Sequence, residues 1–212
     1  MKVFVIHYKK LVERKQHIEN QFKLYNITDY EFVEIDRDEL SSQDISIFRD
    51  DYSKAQIAIL LSHFYVYKQI ANHHESALIF EDDIVLDDQF NSKLMCYIKE
   101  MPTDYDMLFI GDGCGLHISE GKLIPGKTVY KKSLNPSSIE GHGATRCTDS
   151  YIVSKKCAKM LCEYIANMDY KIDIPIDHWL NSTMRELDLE IYWAEPTIVS
   201  QGTQNGMFKT CY

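Results

Sequence analysis

Short apolar runs alternate with helical stripes through the first half of the chain. Val3 to Ile6 reads as a strand, and Leu11, Ile18, Phe22 and Tyr25 then recur at spacings of seven, four and three, the mark of an amphipathic helix. Glu31 to Ile35 alternates as a second strand and ends at Asp36-Arg37-Asp38. From Ala55 to Ala71 the apolar positions wrap most of the way round a helix that Ser62 and His63 interrupt. Ala77 to Phe80 predicts a buried strand, Asp87-Asp88 offers a cap to a helix carrying Phe90, Leu94, Tyr97 and Ile98, and Asp106 to Ile110 predicts another strand.

After Ile110 the pattern loosens. Seven of the nine glycines fall between Gly111 and Gly143, so hairpins and a mobile loop centred on Leu134 to Gly143 are expected, closing over a bound ligand. Cys147 to Val153 regains strand character. Ser154 can cap a helix through Ala158, Leu161, Cys162 and Ile165, and Ile174-Pro175-Ile176-Asp177-His178 leads into one carrying Trp179, Leu180, Met184 and Leu187. Glu190 to Ala194 and Thr197 to Val199 read as closing strands around Pro196. Strand and helix alternation implies an α/β fold with a mostly parallel central sheet and helices on both faces. Ligands collect at the carboxyl ends of such strands. His7-Tyr8, Asp36, Glu81 to Asp83 and Asp112 each follow a strand and are expected at one edge.

Glu81-Asp82-Asp83 is the decisive chemical feature. Three adjacent carboxylates directly after a core strand cost several kcal/mol to bury unless a cation or strong donors face them. A hard divalent ion, Mn²⁺ or Mg²⁺, answers that requirement. The start of a helix, or a solvated loop, also accommodates acids.

The chain has 212 residues, 45% hydrophobic and 26% charged, enough for a sizeable core in a single domain over 1–212. Its net charge of -9 is spread along the chain and disfavours a nucleic-acid partner. The six cysteines show no Cys-x-x-Cys pair or regular framework and read as reduced thiols of a cytoplasmic protein. No signal-peptide core and no 18-residue apolar run appear, so no transmembrane segment is expected.

Seven stretches, in order, resemble glycosyltransferase family 25, which includes bacterial lipo-oligosaccharide and animal collagen galactosyltransferases. They are Val3 to Tyr8 with Arg14, Glu34-Ile35-Asp36, Ile59 to His63, Ala77 to Leu86, Thr148 to Ser154, Ile174 to Asp177, and Glu195 to Gln201. His7-Tyr8 replaces the family's usual Asn-Leu, and a Gly-Cys pair is missing before Ser62-His63. The basic tail of many bacterial relatives is not matched after Gln201, which leaves peripheral membrane contact open.

The resemblance implies a Rossmann-like GT-A fold, a UDP-sugar donor, Mn²⁺, and transfer with inversion to a glycan or protein acceptor. It implies Asp83 as metal ligand, Glu81 or Asp82 as a second or outer one, and His178 as a late ligand. Arg14 suits phosphate, Tyr8 suits a base by stacking, and His7, Asp36, Ser62 and His63 fall on the donor side. A surface histidine, a solvated arginine and satisfied core residues fit the same positions. Asp177 is the candidate base, with Asp149 and Asp112 in reserve; a plain helix cap also explains Asp177. Two other classes share the acidic strand end. A phosphoacceptor receiver module needs a lysine at a late strand end, where this chain has Ser154, Glu195 and Ser200; a glycan-binding protein without turnover has no distinguishing residue.

Overall fold

A computed structural model describes residues 1–134 and 143–209. Its elements, in chain order, are β1 (Lys2–Ile6), α1 (Val12–Leu24), β2 (Tyr30–Val33), α2 (Ser42–Ile45), α3 (Lys54–His73), β3 (Ser76–Glu81), β4 (Ile84–Leu86), α4 (Phe90–Glu100), β5 (Met107–Phe109), β6 (Val129–Lys131), β7 (Ser150–Ser154), α5 (Lys155–Asn167), α6 (Ile176–Glu186), β8 (Ile191–Ala194) and β9 (Val199–Gln201). Seven strands form one sheet in the order β2-β1-β3-β7-β5-β8-β6, and β4 pairs with β9 in a small ribbon.

β1, β2, β3, β5 and β8 run the same way, while β7 and β6 are reversed. The period-two alternation of strands sends successive side chains to opposite faces. Phe4, Ile6, Ala77, Ile79, Tyr151 and Val153 enter one core under α3, α5 and α6; Val3, Val5, Leu78, Phe80 and Ile152 enter the other, beside α1 and α4. Helices therefore cover both faces, as expected.

Local chemistry sets several boundaries. Ser154 caps α5 by accepting from the Cys157 amide at 3.1 Å, as its position predicted. Asp87 does not cap α4. Its Oδ1 accepts from the Gln89 amide at 2.8 Å and from Lys93, and so shapes the preceding turn. The last strand lies two residues later than expected, and β7 starts at Ser150 because Cys147 takes a left-handed φ of 55°. The expected loop centred on Leu134 to Gly143 falls almost wholly on residues 135–142, outside the described residues. Among those described, no helix is long and apolar enough to cross a membrane.

Candidate active site

The parallel strands bring their carboxyl ends to one edge, and the reversed β7 brings its amino end to the same place. That reversal puts Asp149 beside Glu81: the Glu81 amide donates to the Asp149 carbonyl at 2.9 Å. Gly111, at the end of β5, makes room for the Asp149 carboxyl, since a Cβ there would collide with Asp149 Oδ2 and Ser150 Oγ. Ser150 donates to Asp149 Oδ2 at 2.8 Å.

The three consecutive acids have three different fates. Glu81 accepts from the Thr148 hydroxyl at 2.9 Å. Asp82 is paired with Arg14 Nη1 at 2.7 Å and lies 2.8 Å from His7 Nδ1, within hydrogen-bond reach. Asp83 accepts from the Thr203 hydroxyl through Oδ2, while its carbonyl takes the Gly202 amide at 2.6 Å. Oδ1 of Asp83, Asp112 and Asp149 stays buried without a hydrogen-bond partner. Unpaired buried oxygens of this kind call for a missing donor or cation.

Burial, with Asp83 and Asp149 nearby, pushes Glu81 up to about 8. Burial likewise pushes Asp149 up to about 7, with Asp112 and Asp83 adding to it. Both carboxyls hold protons in the folded protein that the unfolded chain releases near its ordinary value. His63, lowered to about 3, works the other way below about pH 6.5 but is one group against two, so the folded state binds more protons between about pH 4.5 and 8. The slope of stability with pH is then negative. Thermal denaturation of metal-free protein should show Tm falling as pH rises from 5 to 8, and Asp149→Asn should flatten that fall; a Tm that climbs through this window would contradict the arrangement.

A cleft of ≈ 350 Å³ opens over these groups. His7, Tyr8, Arg14 and Arg37 line one side, Ala55, Gln56, Ala58, Ile59 and Ser62 of α3 another, and Asp177 of α6 joins Glu81, Asp82 and Asp83 in its wall. Arg37 lies over the Tyr8 ring with its guanidinium carbon 4.5 Å from the centroid, a cation–π contact that fixes the ring at the mouth. Cys114, Cys147, Thr148, Gln201 and Thr203 also line it, and the sequence assigned a site role to none of these. Thr203 carried no pattern at all; Thr148 and Gln201 each stood within a family-like stretch and were the readable ones.

Three expected residues lie elsewhere. His63 is fully buried, with Nδ1 2.7 Å from the Tyr151 hydroxyl, and burial lowers it to about 3, so it is a neutral core histidine rather than a cleft residue. Asp36 is held by the Asp38 amide at 2.9 Å and by Lys9, which keep its pKa low, and it does not line the cleft. His178 is exposed on α6 and does not line the cleft. A fourth, Asp82, lines the cleft but is already paired. Removing its partner by Arg14→Ala leaves that carboxylate largely buried beside the cleft, and urea denaturation should record a loss of about 3 kcal/mol; a change under 1 kcal/mol would show that the pair is solvated.

Among the described residues no three His, Cys, Asp or Glu side chains are gathered as a finished metal cage. The donor set still suits a hard ion. Ions such as Mg²⁺ take one or two carboxylates, waters and a substrate's phosphates rather than a full protein cage, and the orphaned oxygens are hard carboxylate donors. Burial raises the pKa of the Cys114 and Cys147 thiols, which stay protonated at neutral pH, and a soft sulfur is a poorer match to a hard ion than the carboxylates are.

The family description "Glycosyltransferase family 25 (LPS biosynthesis protein)" matches residues 1–180. The chain belongs to glycosyltransferase family 25. This family member is 30% identical over 120 residues, 52% of its length, to a glycosyltransferase-named protein of Acanthamoeba polyphaga mimivirus, and covers 37% of that protein. It is 25% identical over 173 residues to human procollagen galactosyltransferase 2, covering 72% of this chain and 26% of the human one. The family 25 chain thus spans about a quarter to just over a third of these two relatives.

Its fold is GT-A. A Drosophila β1,4-galactosyltransferase 7 variant in complex with manganese, UDP-Gal and xylobiose superposes over 100% of this chain and 76% of that one, with a TM-score of 0.50 at 9% identity. The galactosyltransferase LgtC, in complex with donor and acceptor sugar analogues, gives a TM-score of 0.50 at 10% identity over 100% of this chain and 98% of its own.

Proposed function

We propose that residues 1–212 act as one catalytic domain that moves a hexose of the galactose type from a UDP-sugar to a hydroxyl of a glycan or protein acceptor, with inversion and with Mn²⁺ or Mg²⁺ bound. The observation that carries this reading is the edge of the sheet where buried Oδ1 atoms of Asp83 and Asp149 lack partners beneath a cleft. The names of the human relative and of the manganese–UDP-Gal complex support the donor class. The thiols described are free, which suits the cytoplasm.

Asp83, with Glu81 and Asp149 behind it, would hold the ion, which when bound supplies positive charge against the pyrophosphate leaving group. Arg14 would add a guanidinium on the phosphate side, steadied by Asp82. Tyr8, braced by Arg37, offers a flat face to the uracil. Ser62 spends its hydroxyl on the Ala58 carbonyl at 2.8 Å, so its contribution is shape. Asp177, in the first turn of α6 on the cleft wall, is the proposed base for the acceptor hydroxyl.

Incubation with UDP-Gal and Mn²⁺ tests the reading. UDP release that EDTA abolishes supports it; binding of UDP with no release from any UDP-hexose favours a binding protein instead; no binding at all overturns both.

A further inference from the structure

We propose that Cys114 and Cys147 form a reversible disulfide in the lining of the cleft, a modification site whose reagent is a hydroperoxide. Their Sγ atoms stand 3.7 Å apart, 33 positions apart in sequence, and both residues line the cleft. This is the thiol pair in contact among the described residues; Cys157 is buried in the core, and Cys96 and Cys162 lie on α4 and α5.

The backbone brings the two turns together. Gly113 has no side chain, and a Cβ there would strike the carbonyl carbon and oxygen of Arg146, so the segments preceding the two cysteines lie main chain against main chain. Arg146 is itself fixed, donating to the Leu116 carbonyl at 2.6 Å, to the Ala194 carbonyl at 2.7 Å, and to Glu195. The sulfurs therefore face each other from anchored turns and need to close by only about 1.7 Å to reach a bond of about 2.0 Å.

Cys114 is exposed and Cys147 half-buried, so Cys114 meets the oxidant first. Burial raises the pKa of the Cys114 thiol, so only a minor thiolate fraction exists at neutral pH and the step is slow. That thiolate attacks the hydroperoxide, the O–O bond breaks, the departing oxygen takes up the proton and leaves as an alcohol, and a sulfenic acid remains. Cys147 sulfur then displaces the hydroxyl as water and the S–S bond forms. Two thiols give up two protons and two electrons, which reduce the hydroperoxide to alcohol and water.

The bond would act on the site through Thr148. Drawing Cys147 toward Cys114 pulls on the next residue, whose hydroxyl holds Glu81. Oxidation then weakens donor binding, and by reciprocity a bound donor protects the pair. This effect on the donor rests on the function proposed above; formation of the bond does not.

Reduced protein treated with excess hydrogen peroxide, then alkylated and mapped by mass spectrometry, should yield a peptide joining Cys114 to Cys147. UDP affinity with Mn²⁺, measured calorimetrically, should fall about tenfold and return with dithiothreitol. In Cys114→Ser the affinity, whatever its starting value, should no longer respond to peroxide. Separate oxidation of the two cysteines without a cross-link overturns the proposal, and a cross-link that leaves affinity unchanged overturns its gating half. If reduced protein binds no UDP, the donor reading fails while the map still decides the redox site.

Discussion

Asp83→Ala is expected to abolish Mn²⁺-dependent binding of UDP while leaving the metal-free fold intact. The side chain's Oδ1 is buried and unpartnered among carboxyls, which is the position of a ligand and not of a structural ion pair. Its loss removes a full negative charge from the proposed ion's surroundings, so affinity should drop roughly 100-fold or more. The fold should tolerate the change. The substitution forfeits the Thr203 hydroxyl's hydrogen bond, about 1 kcal/mol, but takes away one of the charges that push Glu81 up, and the two effects oppose each other. Calorimetry with UDP, with and without Mn²⁺, measures the first effect and chemical denaturation the second. Wild-type Mn²⁺-dependent affinity in the variant would remove Asp83 from the metal site.

Elements with enough residues to show a period were legible in the sequence. Val3 to Ile6, the α3 stripe and Ala77 to Phe80 each bury apolar groups on faces that spacing reveals. β4 and β6, of three residues each, carry no apolar run of about four or more and exist because a neighbour pairs with them, while β9 was expected two residues early. Strand direction was hidden as well. Asp149 precedes its strand, so a rule that looks for acids after strands passes it over; only the antiparallel register, Phe80 against Ser150, carries it to the Glu81 edge.

Helix phase explains the rest of the site. On α3, Ala55, Ala58, Ile59 and Ser62 share the stripe that lines the cleft, whereas Leu60, His63, Phe64 and Tyr67 share the stripe turned to the core. One residue's step of about 100° separates Ser62 from His63 and gives them different surroundings. On α6, Ile176, Trp179, Leu180 and Met184 face inward, which leaves His178 outside. That phase was readable from the apolar pattern, and the family likeness obscured it. Asp82 shows the opposite case: its partners Arg14 and His7 lie 68 and 75 positions away, and no local signal links them.

Asp177→Asn should keep donor binding and lower transfer by about 10²-fold or more. Asp177 lies in the first turn of α6 and lines the same cleft as Glu81 to Asp83, on a different element from the β3 end that carries them. An inverting displacement needs a base apart from the metal, because the acceptor hydroxyl must approach the sugar from the face opposite the leaving UDP and give its proton to a base there. Asparagine keeps the size, and its side-chain oxygen can still accept from the His178 amide, as Asp177 Oδ1 does at 2.9 Å, so the helix start is preserved. What disappears is the basic oxygen. KM for the donor should therefore hold while kcat falls, and the anomeric configuration of the wild-type product, read by NMR, should be opposite to the donor's. If the asparagine variant transfers at the wild-type rate, the base moves to Asp149 or Asp112. A product that keeps the donor's configuration would discard the single displacement and, with it, any need for a base on the α6 wall.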